Sequence, residues 1–367
     1  MRHRVRAAWY AGTPSANRVL TEYDMIGIIR NRKTFASAPL AGALDFLAGE
    51  RLVNLTGNLA RNVLVPAAAI LVFLLLWAAG ASKVQTSLGV LPGPDKVWEQ
   101  GVALYGEHHD ERAREAAFYA RMQARIDKAM AAGKSDEHIA KMEDRKYTGK
   151  ATFIDQIFTS LWTVMTGFAI ASLIAIPVGI VIGMNQTLYQ AFNPIIQVFK
   201  PVSPLAWLPL VTMVVSAVYV SDDPWFSKSF LNSAITVTLC CLWPTIINTA
   251  VGVSGVSKDL INVSRVLRLS WLTKTVKIVL PSAIPMMFTG LRLSLGIGWM
   301  VLIAAEMLAQ NPGLGKFVWD EFQNGSSNSL ARIMVAVVVI GFIGFLLDRG
   351  MLAMQRAVSW DKNAIMR

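Results

Sequence analysis

Charged residues are scarce in this chain. Asp, Glu, Lys and Arg make up 16% of its 367 residues, whereas a soluble globular protein carries about 25%. With 54% hydrophobic residues and a mean hydropathy of +0.44, that shortage excludes an ordinary water-soluble fold. Acidic residues are the scarcer sign: 24 Asp and Glu stand against 35 Lys and Arg, a formal net charge of +11. Such an excess of base raises the question of nucleic acid. No groove-reading motif or aromatic-basic platform accompanies it, however, and the basic residues sit mostly in loops and tails. Basic loops beside membrane spans follow the positive-inside bias instead, and no nucleic-acid partner is expected.

Cysteine is nearly absent. Cys240 and Cys241 are the only two, adjacent within an apolar run. Neighbouring cysteines rarely close a disulfide, and no second pair exists to build a framework or a metal site. Both read as packing residues. His108, His109 and His138 have no carboxylate or cysteine ligands at metal spacing, and no Ser-His-Asp or paired-carboxylate arrangement can be assembled. Lys128-Ala-Met-Ala-Ala-Gly-Lys-Ser135 ends like a phosphate loop but has Lys where the pattern needs Gly, and no strand precedes it. Asn54-Leu-Thr56 matches a glycosylation sequon by chance, on the side read below as cytoplasmic. The chain carries no catalytic machinery, and no cofactor or metal is expected. Internal repeats and low-complexity tracts are also missing.

Long apolar runs are what the chain does have. A helix needs about 20 apolar residues to cross a hydrocarbon core of roughly 30 Å. Six runs qualify: Val63–Ala81, Ile157–Met184, Leu188–Val220, Phe230–Val253, Ala283–Leu308 and Ala331–Leu352. The third is interrupted by Pro194, Pro201, Pro204 and Pro209, which membrane helices tolerate where neighbours satisfy the freed backbone. The first run starts near Val63, beyond the window of a cleaved signal peptide, so that span is expected to be retained. The predicted fold class is therefore an all-α integral membrane protein with six transmembrane helices.

Basic loops orient the spans. The segment before Val63 holds nine Lys and Arg, among them Arg30, Arg32 and Lys33, against four acidic residues. The loop after the fourth span holds Lys258, Arg265, Arg268, Lys274 and Lys277 against Asp259 alone, while the loop after the third carries Asp222 and Asp223. Both termini and the 254–282 loop read as cytoplasmic, a parity that six spans satisfy. The loop over 82–156 is basic yet falls outside; at about 75 residues it exceeds the roughly 60-residue range in which charge sets topology. Within it Phe118, Met122, Ile126 and Met130 recur at helical spacing, Gly133 reads as a stop, and Ser135, Asp136 and Glu137 as a new start. The expectation is an extracytoplasmic helical hairpin over about 104–148. The organisation is then an interfacial or cytoplasmic extension over 1–62, a first span over 63–81, the 82–156 loop, a core of five spans over 157–352, and a cytoplasmic tail over 353–367.

Residues 258–285 are the most informative stretch. They form a basic, helix-compatible segment between two spans that ends at Leu280-Pro281. A rigid helix there can move both spans when a partner closes against it. Val263 and Ser264 are short enough for close approach, and Arg265 and Arg268 can reach carboxylates on the partner. This segment resembles the coupling loop of ABC importer permeases, whose pattern is Glu-Ala-Ala, a Gly several residues later, then Ile or Val before Leu-Pro. Here Asn262-Val263-Ser264 stands at the Glu-Ala-Ala positions and Arg268 replaces the Gly. The variant is similar to that of the nitrate/sulfonate/taurine family, nitrate-type branch. So are Phe288-Thr-Gly-Leu-Arg292, Ala304-Ala-Glu-Met307, Gly313-Leu-Gly315 with Trp319-Asp320, Gly341 through Arg349, and Leu91 to Trp98. The resemblance covers about 63–98 and 151–355.

The resemblance implies a type I importer permease in a bacterial inner membrane. Its implied partners are a second permease copy (a homodimer), two cytoplasmic ATPase subunits and a periplasmic solute-binding protein. The implied substrate is nitrate or a related small oxyanion such as nitrite, cyanate or bicarbonate, with sulfonates such as taurine as the alternative. From other classes stand a secondary transporter or channel working without ATPase, and a scaffold whose outer hairpin binds a partner. Arg292 and Glu306, costly at membrane depth, lie on nearly one helical face but about 21 Å apart, too far to pair. Two roles stay open for them. Arg292 attracts an anion and Glu306 holds an outer gate, or both are structural.

Overall fold

The structure is a computed structural model and describes residues 63–86, 89–220, 225–326 and 328–358. The expected 1–62 extension with its sequon, Asp222, Asp223 and most of the 353–367 tail lie outside the described residues. The chain divides into two units, Met1–Trp77 and Ala78–Arg367. In the first, residues 65–77 make most of helix α1 (Val65–Ala81), whose 17 residues are almost uniformly apolar. They rise about 26 Å, close to a bilayer's hydrocarbon thickness.

In the second unit a two-residue hairpin, β1 (Gln85–Thr86) against β2 (Gly89–Val90), precedes the long helix α2 (Pro94–Ala131). Proline at its first position lacks only an N–H that would have no helical partner anyway. α2 closes through Gly133, at φ 63°, with the Lys134 N–H returning to Ala129 O at 3.1 Å. The short α3 (Asp136–Glu143) follows, with Ser135 at its N-cap.

Four long apolar helices build the core: α4 (Phe153–Met184), α7 (Lys228–Ser254), α10 (Leu280–Ala309) and α12 (Ser329–Val358). α4 starts from a capping box in which Thr152 N–H donates to the Asp155 carboxylate at 2.9 Å and Asp155 N–H to the Thr152 hydroxyl at 3.4 Å. α7 lies at the centre and packs against both α4 and α10. Gly167 of α4 faces Ala234 and Val237 of α7, and Gly183 faces Ala250 and Val253, so these two helices run parallel. A Cβ at Gly183 would stand 2.6 Å from the Ala250 carbonyl; the backbones approach this closely only because no side chain intervenes. α10 runs antiparallel to α7, with Gly298 at Cys241 and Gly252 at Ala283, and α12 antiparallel to α10, with Trp299 donating to Ile340 O at 3.0 Å.

Two stretches differ from the sequence expectation. The third run is two helices, α5 (Gln186–Phe199) and α6 (Pro204–Val218), bent by 96°. Pro204 starts α6 and forces Ser203 out of the helical region, to ψ 135°. Because α4 and α7 run parallel, this bent pair lies in the stretch that carries the chain back from the Met184 end to the Lys228 end. The fifth run starts at Trp271 rather than Ala283 and is continuous to Ala309. Leu280-Pro281 does not stop it. A π segment over Thr275–Val279, entered from the short α9 (Trp271–Lys274), lets Leu280 N–H bond to Thr275 O, five residues back, so the helix passes through the proline. The remaining helices cap the two ends: α8 (Lys258–Val266) where α7 ends and the next helix begins, and α11 (Leu314–Asn324) with α2 at the opposite end.

Candidate coupling surface and buried charge sites

The sequence of α8 places its polar and apolar faces, and Ser257 Oγ caps it by accepting from Leu260 N–H at 3.4 Å. Asp259 in the first turn complements the positive end of the helix dipole. Asn262, Val263, Arg265 and Arg268 are exposed, whereas Ser264 is buried and donates its hydroxyl to Ile261 O at 2.6 Å. Of the seven residues expected to couple to a partner, Asn262, Val263, Arg265, Arg268 and Pro281 are exposed, Leu280 is half-buried and Ser264 packs inward. Val266, 81% exposed, with Leu267, Trp271 and Leu272 continues an apolar surface from the helix. Leu280 and Pro281 lie inside the following helix rather than at a loop end.

α8 closes at Arg268, whose φ of 48° is left-handed, with Leu269 N–H bonding to Ser264 O and Arg268 N–H to Arg265 O, both at 3.0 Å. Such a closure ordinarily takes glycine. This is the physical sense of the Gly in the family pattern: Arg268 keeps the geometry and bears the steric cost.

Inside the bundle the two charged residues of α10 have separate partners. Glu306 has 0% exposure and accepts from Ser160 Oγ of α4 at 2.8 and 2.9 Å and from Gly315 N–H at 2.9 Å. Ser160 in turn accepts from Leu314 N–H at 2.9 Å. Gly313 sits so close that a Cβ there would collide with the Glu306 carboxyl. The Ala304-Ala-Glu-Met and Gly-Leu-Gly segments, separate in sequence, are therefore one unit fastening the 310–315 turn to α4. Arg292 instead grips Asp348 of α12 with two nitrogens: Nε to Oδ1, and Nη2 to Oδ2 at 2.8 Å. Neither Asp348 nor Ser160 was singled out from the sequence as a site residue. Asp348 had a signal, being an acid among apolar residues of the last span; a lone serine has none.

At the α2 end a polar cluster ties α2 to the core helices. Arg332 of α12 pairs with Glu107 of α2 and with Glu321 at 3.1 Å, and Arg112 reaches Asp155 at 3.2 Å. Tyr147 donates its hydroxyl to buried Glu111 at 2.8 Å. That hydrogen bond, helped by Arg114, holds the Glu111 carboxyl below its ordinary pKa, and the same bond pushes the Tyr147 phenol up. Among the described residues no group of three His, Cys, Asp or Glu side chains could hold a metal ion. Cys240 and Cys241 are both free and buried.

Among the described residues four helices are long and apolar enough to cross a membrane, or five if the bent α5–α6 pair is one span, and an exposed amphipathic helix connects two of them. The family model described as "Binding-protein-dependent transport system inner membrane component" matches residues 175–359, and the chain belongs to that family. The bicarbonate transport system permease protein of Synechococcus elongatus is 34% identical over 296 residues, 80% of this chain and 89% of that one. The nitrate import permease protein of Leptolyngbya laminosa is 38% identical over 193 residues, 53% and 64% of the two chains. The taurine transport system permease protein of Escherichia coli K12 is 32% identical over 209 residues, 57% and 71%. Among solved structures, the inward facing MetNI methionine ABC transporter gives a TM-score of 0.49 at 15% identity, over 56% of this chain and 96% of that one, a likeness too loose to bear on detail. The chain is thus a non-catalytic inner-membrane component of that family, with relatives of the nitrate/bicarbonate-type branch.

Proposed function

We propose that this chain is the membrane subunit of an ATP-driven importer for nitrate or a related small oxyanion such as bicarbonate, nitrite or cyanate. The observation that carries the reading is α8: a capped helix between two core helices, presenting Val263, Val266 and Leu267 beside Arg265 and Arg268 to a partner surface. An ATPase docked there pushes on α7 and on the continuous Trp271–Ala309 helix together. Two such subunits are needed for a homodimer with the pathway between its halves. Relatives named for bicarbonate and nitrate import support the substrate class.

In this reading α1, the bent α5–α6 pair and the four long helices make six spans, with both termini and α8 cytoplasmic. The antiparallel relation of α10 to its neighbours supports the parity, since it puts α8 and α2 at opposite ends. α2 and α3 then form an extracytoplasmic insertion near the point where a solute-binding protein delivers its cargo. Arg292 lines the anion pathway, and Glu306 holds the outer end closed around α4 and the 310–315 turn.

ATPase activity of the reconstituted complex with its cognate binding protein, titrated separately with nitrate, bicarbonate and taurine, tests the proposal. Stimulation by nitrate or bicarbonate alone supports it; stimulation by taurine alone moves the substrate to sulfonates. Failure of any ATPase subunit to co-purify would overturn the importer reading and favour a transporter or channel working by itself.

A further inference from the structure

Arg292 and Asp348 line an open cleft of about 470 Å³ together with Thr289, Leu293, Gly296 and Met300. The pair is only part-buried, with side-chain exposures of 38% and 34%. Nε and Nη2 of the guanidinium are taken by the two carboxylate oxygens, and among the described residues Nη1 has no hydrogen-bond partner. The arrangement is a two-pronged cation, held by a two-oxygen anion, at the edge of a space large enough for a small solute.

A guanidinium fork recognises a planar pair of oxygens, and it does not distinguish their source. Carboxylate, nitrate and bicarbonate all offer such an edge with the same charge. Resting on the proposal that Arg292 lines the pathway, we infer that Asp348 is an internal substitute for the transported anion. In the empty permease its carboxylate fills the Arg292 fork, and a small planar oxyanion crossing the membrane takes its place there.

The exchange has a physical purpose. An unopposed arginine at membrane depth would hold an anion too tightly for passage, since conduction needs sites weak enough to leave as well as to enter. Competition by Asp348 lowers the net affinity without removing the selective cation. Because Asp348 belongs to α12 and Arg292 to α10, each exchange also unfastens and refastens those two helices.

Gly296 provides the reporter, since it lines the cleft and a Cβ there meets nothing within 4 Å. Gly296→Cys in the full complex, in nanodiscs, is treated with an anionic methanethiosulfonate; the native Cys240 and Cys241 are buried. Nitrate and bicarbonate are expected to slow the modification, relative to chloride at equal ionic strength. Adding Asp348→Asn should lower the half-protecting nitrate concentration about tenfold, and Arg292→Lys, which keeps the charge but not the fork, should raise it by about the same factor. Modification that nitrate leaves unchanged would overturn the inference and leave the pathway reading intact. Protection that is indifferent to both substitutions, or equal for taurine and nitrate, would also overturn it. No modification of Gly296→Cys at all would show a cleft closed to water, and both the pathway reading and the inference would fall.

Discussion

Glu306 of α10 and Ser160 of α4, 146 positions apart, meet through both carboxylate oxygens at 2.8 and 2.9 Å, and neither side chain sees solvent. The same carboxylate receives Gly315 N–H and the same serine receives Leu314 N–H. Glu306→Ala strips two buried donors of their acceptor at once. An unsatisfied buried group costs about 1–3 kcal/mol, so detergent-purified protein is expected to lose roughly 2–6 kcal/mol of stability. Gly313→Ala, which drives a methyl into the same carboxyl, should give a similar loss. Thermal unfolding of the two variants checks this; an unchanged midpoint in either would mean that the 310–315 turn is not held by this network.

On α8, charge and backbone geometry make opposite demands on one residue. Arg268→Gly relieves a left-handed φ of 48° and should stabilise the helix end by about 1 kcal/mol. It also removes a cation from the exposed face, so ATPase co-purification should weaken. Arg265→Glu with Arg268→Glu keeps the strain and reverses the charge, and is expected to abolish co-purification while the spans stay folded. A pull-down with the partner ATPase, read beside thermal stability, separates the two effects. Intact docking of the double variant would remove α8 as the coupling surface.

Glycines predict their own tolerance from their neighbours. Gly183→Val places branched carbons where α7 already has the Ala250 carbonyl and Val253 Cβ, at 2.6 and 2.8 Å from the first added atom. The helices must part, and overpacking of this kind costs about 1–3 kcal/mol or more. Gly341→Ala meets nothing within 4 Å and should be neutral or slightly stabilising in mid-helix. Yields of folded, monodisperse protein measured side by side should show the first collapse and the second stand.

What could be read in advance followed range in sequence. Gly133 and Ser135 announced the α2–α3 break because helix ends are set by a few neighbouring residues. The cationic and apolar faces of α8 were legible for the same reason. The prolines of the third run announced a break but not its 96° bend, because the angle is fixed by packing against α4 and α7. Leu280-Pro281 misled in the other direction. Proline signals a helix start from sequence alone, and only the π segment at Thr275–Val279 shows how the helix continues through it. The partners of Arg292 and Glu306 come from helices 56 and 146 positions away, and charge at membrane depth announces that a partner exists without naming it.

The Glu111–Tyr147 tether should respond to pH in a definite direction. Glu111 has a folded pKa below its ordinary value because the Tyr147 hydroxyl, and then Arg114, favour the carboxylate. A group with a depressed folded pKa contributes stability above its unfolded pKa, about 4.3 for glutamate, and loses it as pH falls through the lower folded value. The tether therefore holds at neutral pH and is released only below the ordinary carboxylate range. Tyr147→Phe removes the bond itself, so the acid-dependent step should disappear and residues 145–150 should already exchange faster at neutral pH. Tyr147 itself, with a raised pKa, ties the same contact to the neutral phenol, so the tether also loosens as alkaline pH passes its folded value. Hydrogen exchange of residues 145–150 across acid, neutral and alkaline pH, in the wild type and in Tyr147→Phe, reads both limbs. Identical acid profiles for the two proteins would show that this bond does not hold residues 145–150 to α2.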